Sequence, residues 1–205
     1  MKGINTPGQA LDSGGVASFS APRDGLSHLA FPALAPERNH HADSFPLAPL
    51  GNESYSGSRI SRTGVRPISS SFLDEKRQQR LTGDIIIVFG GTNDWGQAEE
   101  PTTIEVFQEA YETLVSDMVI RHKSSTLYFC TPLQRTDRGL REENIHHWSQ
   151  KDLAGSIHEI VSRHEGANLI DLASYPIKAG DGLLADGLHP SMEVLATLMQ
   201  KGLGL

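Results

Sequence analysis

Three short apolar runs stand out along the chain. Residues 84–89 read Asp-Ile-Ile-Ile-Val-Phe, a run rich in β-branched residues that is typical of a strand buried on both faces. Residues 125–131 and 167–172 carry similar runs, which predict two further strands.

Apolar residues recur with helical spacing between and after these strands. The stripes predict helices over about 103–121, after Ser149 and over 191–201. The side chains expected to face the core are Phe107, Ala110, Tyr111, Leu114, Val115, Met118, Leu153, Ile157, Ile160, Val161, Met192, Leu195, Ala196 and Met199.

Polar residues mark the expected helix starts. Thr102 with Glu105 has the spacing of a capping box, and Ser149 with Asp152 opens the next helix. A triplet of serines at 69–71 predicts the start of a shorter helix that ends before the strand at 84–89.

Strands that alternate with helices of this length predict βαβ units. The fold class is therefore α/β, with a parallel sheet between layers of helices. In such sheets the reactive groups lie at the carboxyl ends of the strands. This rule directs attention to residues 91–95, residues 131–135 and the loop after Leu172.

The first 50 residues have a different composition from the rest. They contain six of the 11 prolines but only one isoleucine and one valine, and they show no periodicity. Such a segment is typical of loop or disorder. We predict an irregular segment over 1–50, disordered or foreign to the fold, and one folded domain over 51–205.

Charge and composition exclude several classes of partner. The net charge is -7, which argues against non-specific nucleic-acid binding because that needs clustered lysines and arginines. No apolar stretch approaches the roughly 20 residues of a membrane span. The N-terminus lacks the pattern of a signal peptide, so we expect a cytoplasmic protein. The single cysteine, Cys130, rules out an intrachain disulfide and is expected to be buried.

Three short polar segments have residues suited to chemistry. Asn93 follows a glycine pair at a strand end, where its amide can donate to an oxyanion, although a plain Asn-Asp turn has the same pattern. Asp186 lies three residues before His189, so its carboxylate can accept from Nδ1–H and leave Nε2 as a general base. Gly57 can expose a backbone N–H to a ligand, although ordinary loops share its composition.

Taken in their order along the chain, the three segments resemble the SGNH (GDSL-type) hydrolase family. Gly-Gly-Thr-Asn93-Asp is similar to the family's Gly-x-Asn-Asp block, and Asp186-x-x-His189 is similar to its last block. Ser-Tyr-Ser-Gly57-Ser resembles its glycine block. The resemblance spans about residues 52–201.

The resemblance implies a three-layer, flavodoxin-like fold and the hydrolysis of a small-molecule ester without cofactor or metal. His189 would be the general base, oriented by Asp186. The Gly57 N–H and the Asn93 amide would form the oxyanion hole. Family members cleave esters of lipids, small alcohols and O-acetylated sugars, and we expect a small acyl ester such as an O-acetyl group on a carbohydrate.

The family's first block, Gly-Asp-Ser at the end of the first buried strand, has no clear copy here. The nearest match is Leu-Asp-Ser13-Gly, which makes Ser13 the candidate nucleophile. A proline and a glycine precede it, and both are unusual in a central strand. Three explanations are open: Ser13 serves in an irregular first element, the chain is an inactive or truncated binding domain, or residues 1–50 are foreign to the fold.

Other conspicuous residues have simpler interpretations. Trp95 either lines the cleft or covers the sheet edge. Adjacent histidines at 40–41 and 146–147 diverge in regular backbone, so we interpret them as surface residues rather than zinc ligands. The mixed-charge loop over 135–143 is interpreted as a solvated lid rather than an anion site.

Overall fold

A five-stranded sheet organises the described part of the chain. The structure is a computed structural model that describes residues 15–20, 48–63, 67–68, 71–97, 100–184 and 186–202. Its strands are β1 (Gly15–Ser20), β2 (Ala48–Asn52), β3 (Ile85–Phe89), β4 (Thr126–Cys130) and β5 (Ala167–Ile170), and their order across the sheet is β2-β1-β3-β4-β5.

The strands β3, β4 and β5 form the parallel sheet that the apolar runs predict. Ile85 pairs with Thr126, and Leu127 pairs with Ala167, so the three carboxyl ends lie at one edge. The helices that connect these strands in sequence make the crossovers that parallel pairing requires. The predicted α/β fold with a parallel sheet is confirmed.

The strand β1 is the main difference from the sequence expectation. It lies inside the segment predicted to be irregular and runs antiparallel to both neighbours, with Ala17 opposite Ile87 on one side and Asn52 on the other. Val16 is its only β-branched residue, so local propensity is weak. Pairing along both sides of the strand supplies what propensity lacks. The proposed domain boundary at residue 50 stays a prediction.

Five α-helices and one 3₁₀ turn accompany the sheet in the described ranges. They are α1 (Glu75–Gln79), α2 (Thr92–Gly96), α3 (Ile104–Arg121), α4 (Gln150–Ser162), the 3₁₀ turn at Leu172–Ser174 and α5 (Met192–Gly202). No helix among them has the length and apolar character needed to cross a membrane.

Alternate residues of β3 face two separate cores. Ile86 and Val88 pack with the buried residues of α3 and α4, whereas Ile85 and Ile87 pack with those of α5. The sheet is therefore the middle of three layers, as expected. Every side chain predicted to face inward from α3 and α4 is buried, and so are Leu195 and Met199 of α5.

The helix starts are confirmed in one case and shifted in the others. Ser149 and Asp152 open α4 as predicted, and the structure shows that they do so as a capping box. Thr103, not Thr102, caps α3, so the capping box predicted there is wrong. The buried Thr102 side chain contacts other hydroxyl groups instead. Asp74 caps α1 by accepting from a backbone N–H, so that helix begins after the serine triplet.

Three single-residue expectations also have clear outcomes. Cys130 is fully buried, as predicted, and burial raises the pKa of its thiol. Trp95 is buried and its Nε1–H donates to the carbonyl of Trp148 at 2.9 Å, so it belongs to the core. His146 and His147 are exposed as expected, while the pair at 40–41 lies outside the described residues.

A buried and an exposed isoleucine provide a matched test of packing. Ile157 in α4 is 0% exposed, whereas Ile120 in α3 is 64% exposed. Ile157→Ala leaves a cavity and should lower the free energy of unfolding by about 2–5 kcal/mol. Ile120→Ala removes the same atoms from the surface and should change it by less than about 0.5 kcal/mol. Urea denaturation measures both, and equal losses would contradict this assignment of the core.

Candidate active site

The described candidate residues lie on loops or short elements near the carboxyl edge of β3–β5. The helix α2 follows β3 directly, because Gly91 adopts a φ of +112° that turns the chain sharply. An added Cβ at Gly91 would lie 3.1 Å from the Leu153 side chain, so the turn is also closely packed. A long loop follows β4, and the segment holding Asp186 and His189 precedes α5.

Gly57 lies in a tight turn. The Ser58 N–H donates to the Tyr55 carbonyl at 3.0 Å, and Gly57, the third residue of the turn, has a φ of +72°. A positive φ at this position is what a type II turn requires. The turn's own hydrogen bond does not use the Gly57 N–H.

Two side chains, one within α2 and one just after it, bind this turn. Asn93 donates through Nδ2 to the Ser58 carbonyl at 2.8 Å, and Gln97 donates through Nε2 to the Gly57 carbonyl at 3.2 Å. The structure therefore brings Asn93 and Gly57 together, although 35 residues separate Asn93 from Ser58. One amide hydrogen of Asn93 is engaged here, and its second is not needed for this bond.

Asp94 connects α2 to the segment after the turn. Its carboxylate is fully buried and accepts from the backbone N–H groups of Ile60 at 2.8 Å and Ser61 at 3.0 Å. Burial raises the pKa of Asp94 to about 6, although the hydrogen bonds and the nearby Arg59 charge act in the opposite direction. These contacts make Asp94 the anchor of the whole segment.

Arg59 completes this part of the site. Its guanidinium is almost fully buried and donates through Nε to Gln97 Oε1 at 2.8 Å. Because the Gln97 amide cannot then rotate freely, its nitrogen is held toward the Gly57 carbonyl. Sequence reasoning missed the roles of Asp94 and Gln97. Asp94 was visible as the last residue of the Gly-x-Asn-Asp block, whereas Gln97 carried no signal.

Asp186 and His189 form the hydrogen bond that their spacing predicts. His189 Nδ1 lies 2.6 Å from Asp186 Oδ2, and Asp186 Oδ1 accepts from the backbone N–H groups of Leu188 and His189 at 2.9 and 2.7 Å. The His189 hydrogen bonds hold the pKa of the Asp186 carboxyl well below its usual range. An ionised acceptor requires a proton on Nδ1, which leaves Nε2 of the neutral ring as an acceptor.

Ser13 lies outside the described residues, so its role as nucleophile stays a prediction. Among the described residues, no three His, Cys, Asp or Glu side chains are close enough together to hold a metal ion.

Comparison with known proteins identifies the family. Residues 25–194 match the GDSL-like Lipase/Acylhydrolase family. The chain belongs to this family. The resemblance drawn from Asn93, Gly57 and the Asp186–His189 pair is thereby confirmed at the level of the family. No curated protein sequence matches the chain significantly.

Solved structures share the fold of this GDSL-like chain at low sequence identity. One has a TM-score of 0.57 and 24% identity, over 73% of this chain and 76% of its own. A protein of Parabacteroides merdae ATCC 43184 described as a GDSL-like lipase has a TM-score of 0.51 and 15% identity, over 73% and 70%. Another so described, from Bacteroides uniformis ATCC 8492, has a TM-score of 0.47 and 26% identity, over 73% and 67%. The first two show the same fold.

Removing the Asp94 carboxylate should destabilise the protein. Asp94→Ala leaves the Ile60 and Ser61 N–H groups without their acceptor in a buried place, and each such loss costs about 1–3 kcal/mol. We expect the free energy of unfolding at pH 5 to fall by at least about 2 kcal/mol, measured by urea denaturation. The exposed Glu165→Ala is the control and should change it little.

The same carboxylate should make stability depend on pH. A pKa of about 6 in the folded protein, against an ordinary 3.8, means that the folded state binds this proton more tightly. The stabilisation is complete below pH 4 and is lost as the pH rises through 6, amounting to about 3 kcal/mol. Wild type should therefore lose stability relative to Asp94→Ala between pH 4 and 7. A constant difference across this range would contradict the pKa assignment.

Proposed function

We propose that this GDSL-like chain is a serine esterase that hydrolyses a small acyl ester, such as an O-acetyl group on a carbohydrate, through an acyl-serine intermediate. The observation that carries the proposal is the 2.6 Å hydrogen bond between Asp186 and His189. It gives the imidazole the tautomer that a general base needs. Membership of the family supports ester hydrolysis as the reaction.

The proposed mechanism has two acyl-transfer steps. His189 Nε2 takes the proton of the Ser13 hydroxyl as Oγ attacks the ester carbonyl carbon. His189 then gives this proton to the leaving alcohol oxygen, and the acyl group remains on Ser13. In the second step His189 takes a proton from water as the water oxygen attacks the acyl carbon. The bond between this carbon and Ser13 Oγ then breaks, His189 returns the proton to Oγ, and the acid is released. Asp186 remains ionised and stabilises the imidazolium in both steps.

The proposed oxyanion hole uses the turn and the helix that binds it. The Gly57 N–H and the second Asn93 amide hydrogen would donate to the oxygen that becomes negative in the tetrahedral intermediate. The contacts of Asn93 with Ser58 and of Gln97 with Gly57 support this role, because they orient both donors before substrate binds. A preorganised donor of this kind typically contributes about 10²–10³ to kcat.

The direction of β1 supports Ser13 as the nucleophile. Because β1 is antiparallel to β3, its first residue, Gly15, pairs with Phe89 at the carboxyl end of β3. Ser13 precedes Gly15 by two residues, a reach of at most about 7 Å. Asn93 follows Phe89 by four residues. A nucleophile at this point of the chain is thus compatible with the edge that carries the other groups.

The test combines covalent labelling with a matched pair of histidine variants. A fluorophosphonate probe should label the folded protein, and peptide mapping should locate the label at Ser13. His189→Ala should lower kcat on p-nitrophenyl acetate by about 10²–10⁴ and slow labelling to a similar extent.

The control is a histidine in a comparable hydrogen bond elsewhere. His164 Nε2 lies 2.5 Å from Glu112 Oε1. Because His164 precedes the first residue of β5, it lies at the opposite edge of the sheet from the candidate site. His164→Ala should retain the wild-type kcat. Full activity in His189→Ala would overturn the mechanism.

The second candidate is an inactive domain that binds a ligand or a partner. The observation that favours it is Leu-Asp-Ser13-Gly where the family carries Gly-Asp-Ser. A glycine there leaves room for the sharp turn that exposes a nucleophile. Absence of label from protein shown by circular dichroism to be folded would favour this second function, and label on a serine other than Ser13 would reassign the nucleophile.

A further inference from the structure

The loop after β4 holds the backbone of the segment that carries Asp186 and His189. The Thr136 N–H donates to the Gly187 carbonyl at 2.7 Å, and the Asp137 N–H approaches the same oxygen at 3.4 Å. Gly187 lies between the two residues of the carboxylate–imidazole pair. Its position is therefore coupled directly to theirs.

The loop packs so closely against Gly187 that a side chain at this position would not fit. Gly187 has a φ of +78°, and a Cβ added to it would lie 2.9 Å from the Asp137 nitrogen and 3.0 Å from the Asp137 Cβ. A real Cβ does not come so close to a backbone atom without displacement. The two segments are hence in close backbone contact at Gly187.

Arg135 connects the same loop to α2. Its guanidinium binds Asp137 with both arms, Nε to Oδ1 at 2.9 Å and a terminal nitrogen to Oδ2 at 2.5 Å. It also lies over the Trp95 ring, 5.6 Å from the centroid, and against Gly96. Only 10% of the Arg135 side chain is exposed, whereas 34% of the Asp137 side chain is, so solvent reaches the ion pair from the Asp137 side.

The backbone of Arg135 is held as well. Its N–H donates to Gln150 Oε1 at 2.7 Å, at the start of α4. Arg135 is thus tied to α4 through its backbone and to α2 and Asp137 through its side chain. A planar guanidinium can make the forked bond and the ring contact at once, which lysine cannot do.

We propose that Arg135, acting through Asp137, is a positioning residue that holds the Asp186–His189 segment in register with α2 and its Asn93. The proposal rests on the function proposed above. In that mechanism the base and the oxyanion donors come from different segments, so their separation depends on what lies between them. The Arg135 side chain contacts α2 and binds the Asp137 carboxylate, and the backbone of Asp137 lies against Gly187. A misplacement of about 1 Å between reacting groups is enough to cost up to about 10²-fold in rate.

Arg135→Gln is the test variant, and Arg138→Gln is its matched control. Arg138 lies over the same Trp95 ring at 5.5 Å, so the control also removes a cation from that ring. It leaves the Arg135–Asp137 fork intact. Two readouts are compared: steady-state kinetics on p-nitrophenyl acetate, and hydrogen exchange of peptides that cover residues 183–195 and, as a reference, the α3 residues 104–121.

Arg135→Gln should lower kcat by about 10-fold or more with KM within about twofold, because substrate binding does not depend on the position of the base. Exchange at the Leu188 and His189 amides, which bind Asp186 Oδ1, should become about 10-fold faster while α3 is unchanged. Arg138→Gln should match wild type in both readouts.

The outcomes separate this proposal from the function on which it rests. If wild type lacks esterase activity, the proposed function fails, and the exchange comparison still decides whether Arg135 holds the segment. Equal effects of the two variants would overturn the positioning role, as would faster exchange throughout α3, which indicates general destabilisation. In an active enzyme, faster exchange with unchanged kcat would also overturn it.

Discussion

A buried carboxylate holds the candidate site together. Asp94 accepts from two consecutive backbone N–H groups, those of Ile60 and Ser61, and in this way fastens the chain after the Gly57 turn to α2. An unpaired carboxylate would be very costly in this place, so the hydrogen bonds and the nearby Arg59 charge are conditions for its burial. The raised pKa of Asp94 shows that they compensate that cost only in part.

This anchor makes a very short helix useful. A five-residue helix has almost no stability alone, and α2 forms because Trp95 is buried beneath it and Asp94 fastens it to its neighbour. Asn93 and Gln97 then meet the carbonyls of the turn from α2 or the position just after it. The site is thus built from segments that are individually weak and become rigid through one another. In the same way, the loop that carries Arg135 is held by contacts with its neighbours and binds the segment of Asp186 and His189 through Gly187.

Local patterns determined much of the framework and part of the site. Strand β3 is recognisable because a continuous apolar run is typical of a strand buried on both faces. The helices α3 and α4 are recognisable because their apolar residues repeat with the helical period. The hydrogen bond between Asp186 and His189 was equally predictable, since three residues of loop suffice to form it. The sequence pattern placed the cap of α3 at Thr102, one residue before the observed cap at Thr103, because the tertiary contacts of Thr102 are not encoded in a spacing.

Contacts between distant segments were decided by the tertiary structure. The sequence by itself determined the α/β class, the family-like blocks and the local Asp186–His189 pair. The meeting of α2 with the Gly57 turn, the anchoring by Asp94, the antiparallel direction of β1 and the fork from Arg135 to the loop beside Gly187 appeared only in the folded chain. The physical reason is one of range. Periodicity and capping act over a few residues, whereas pairing across tens of residues depends on which surfaces the sheet and its helices leave facing each other.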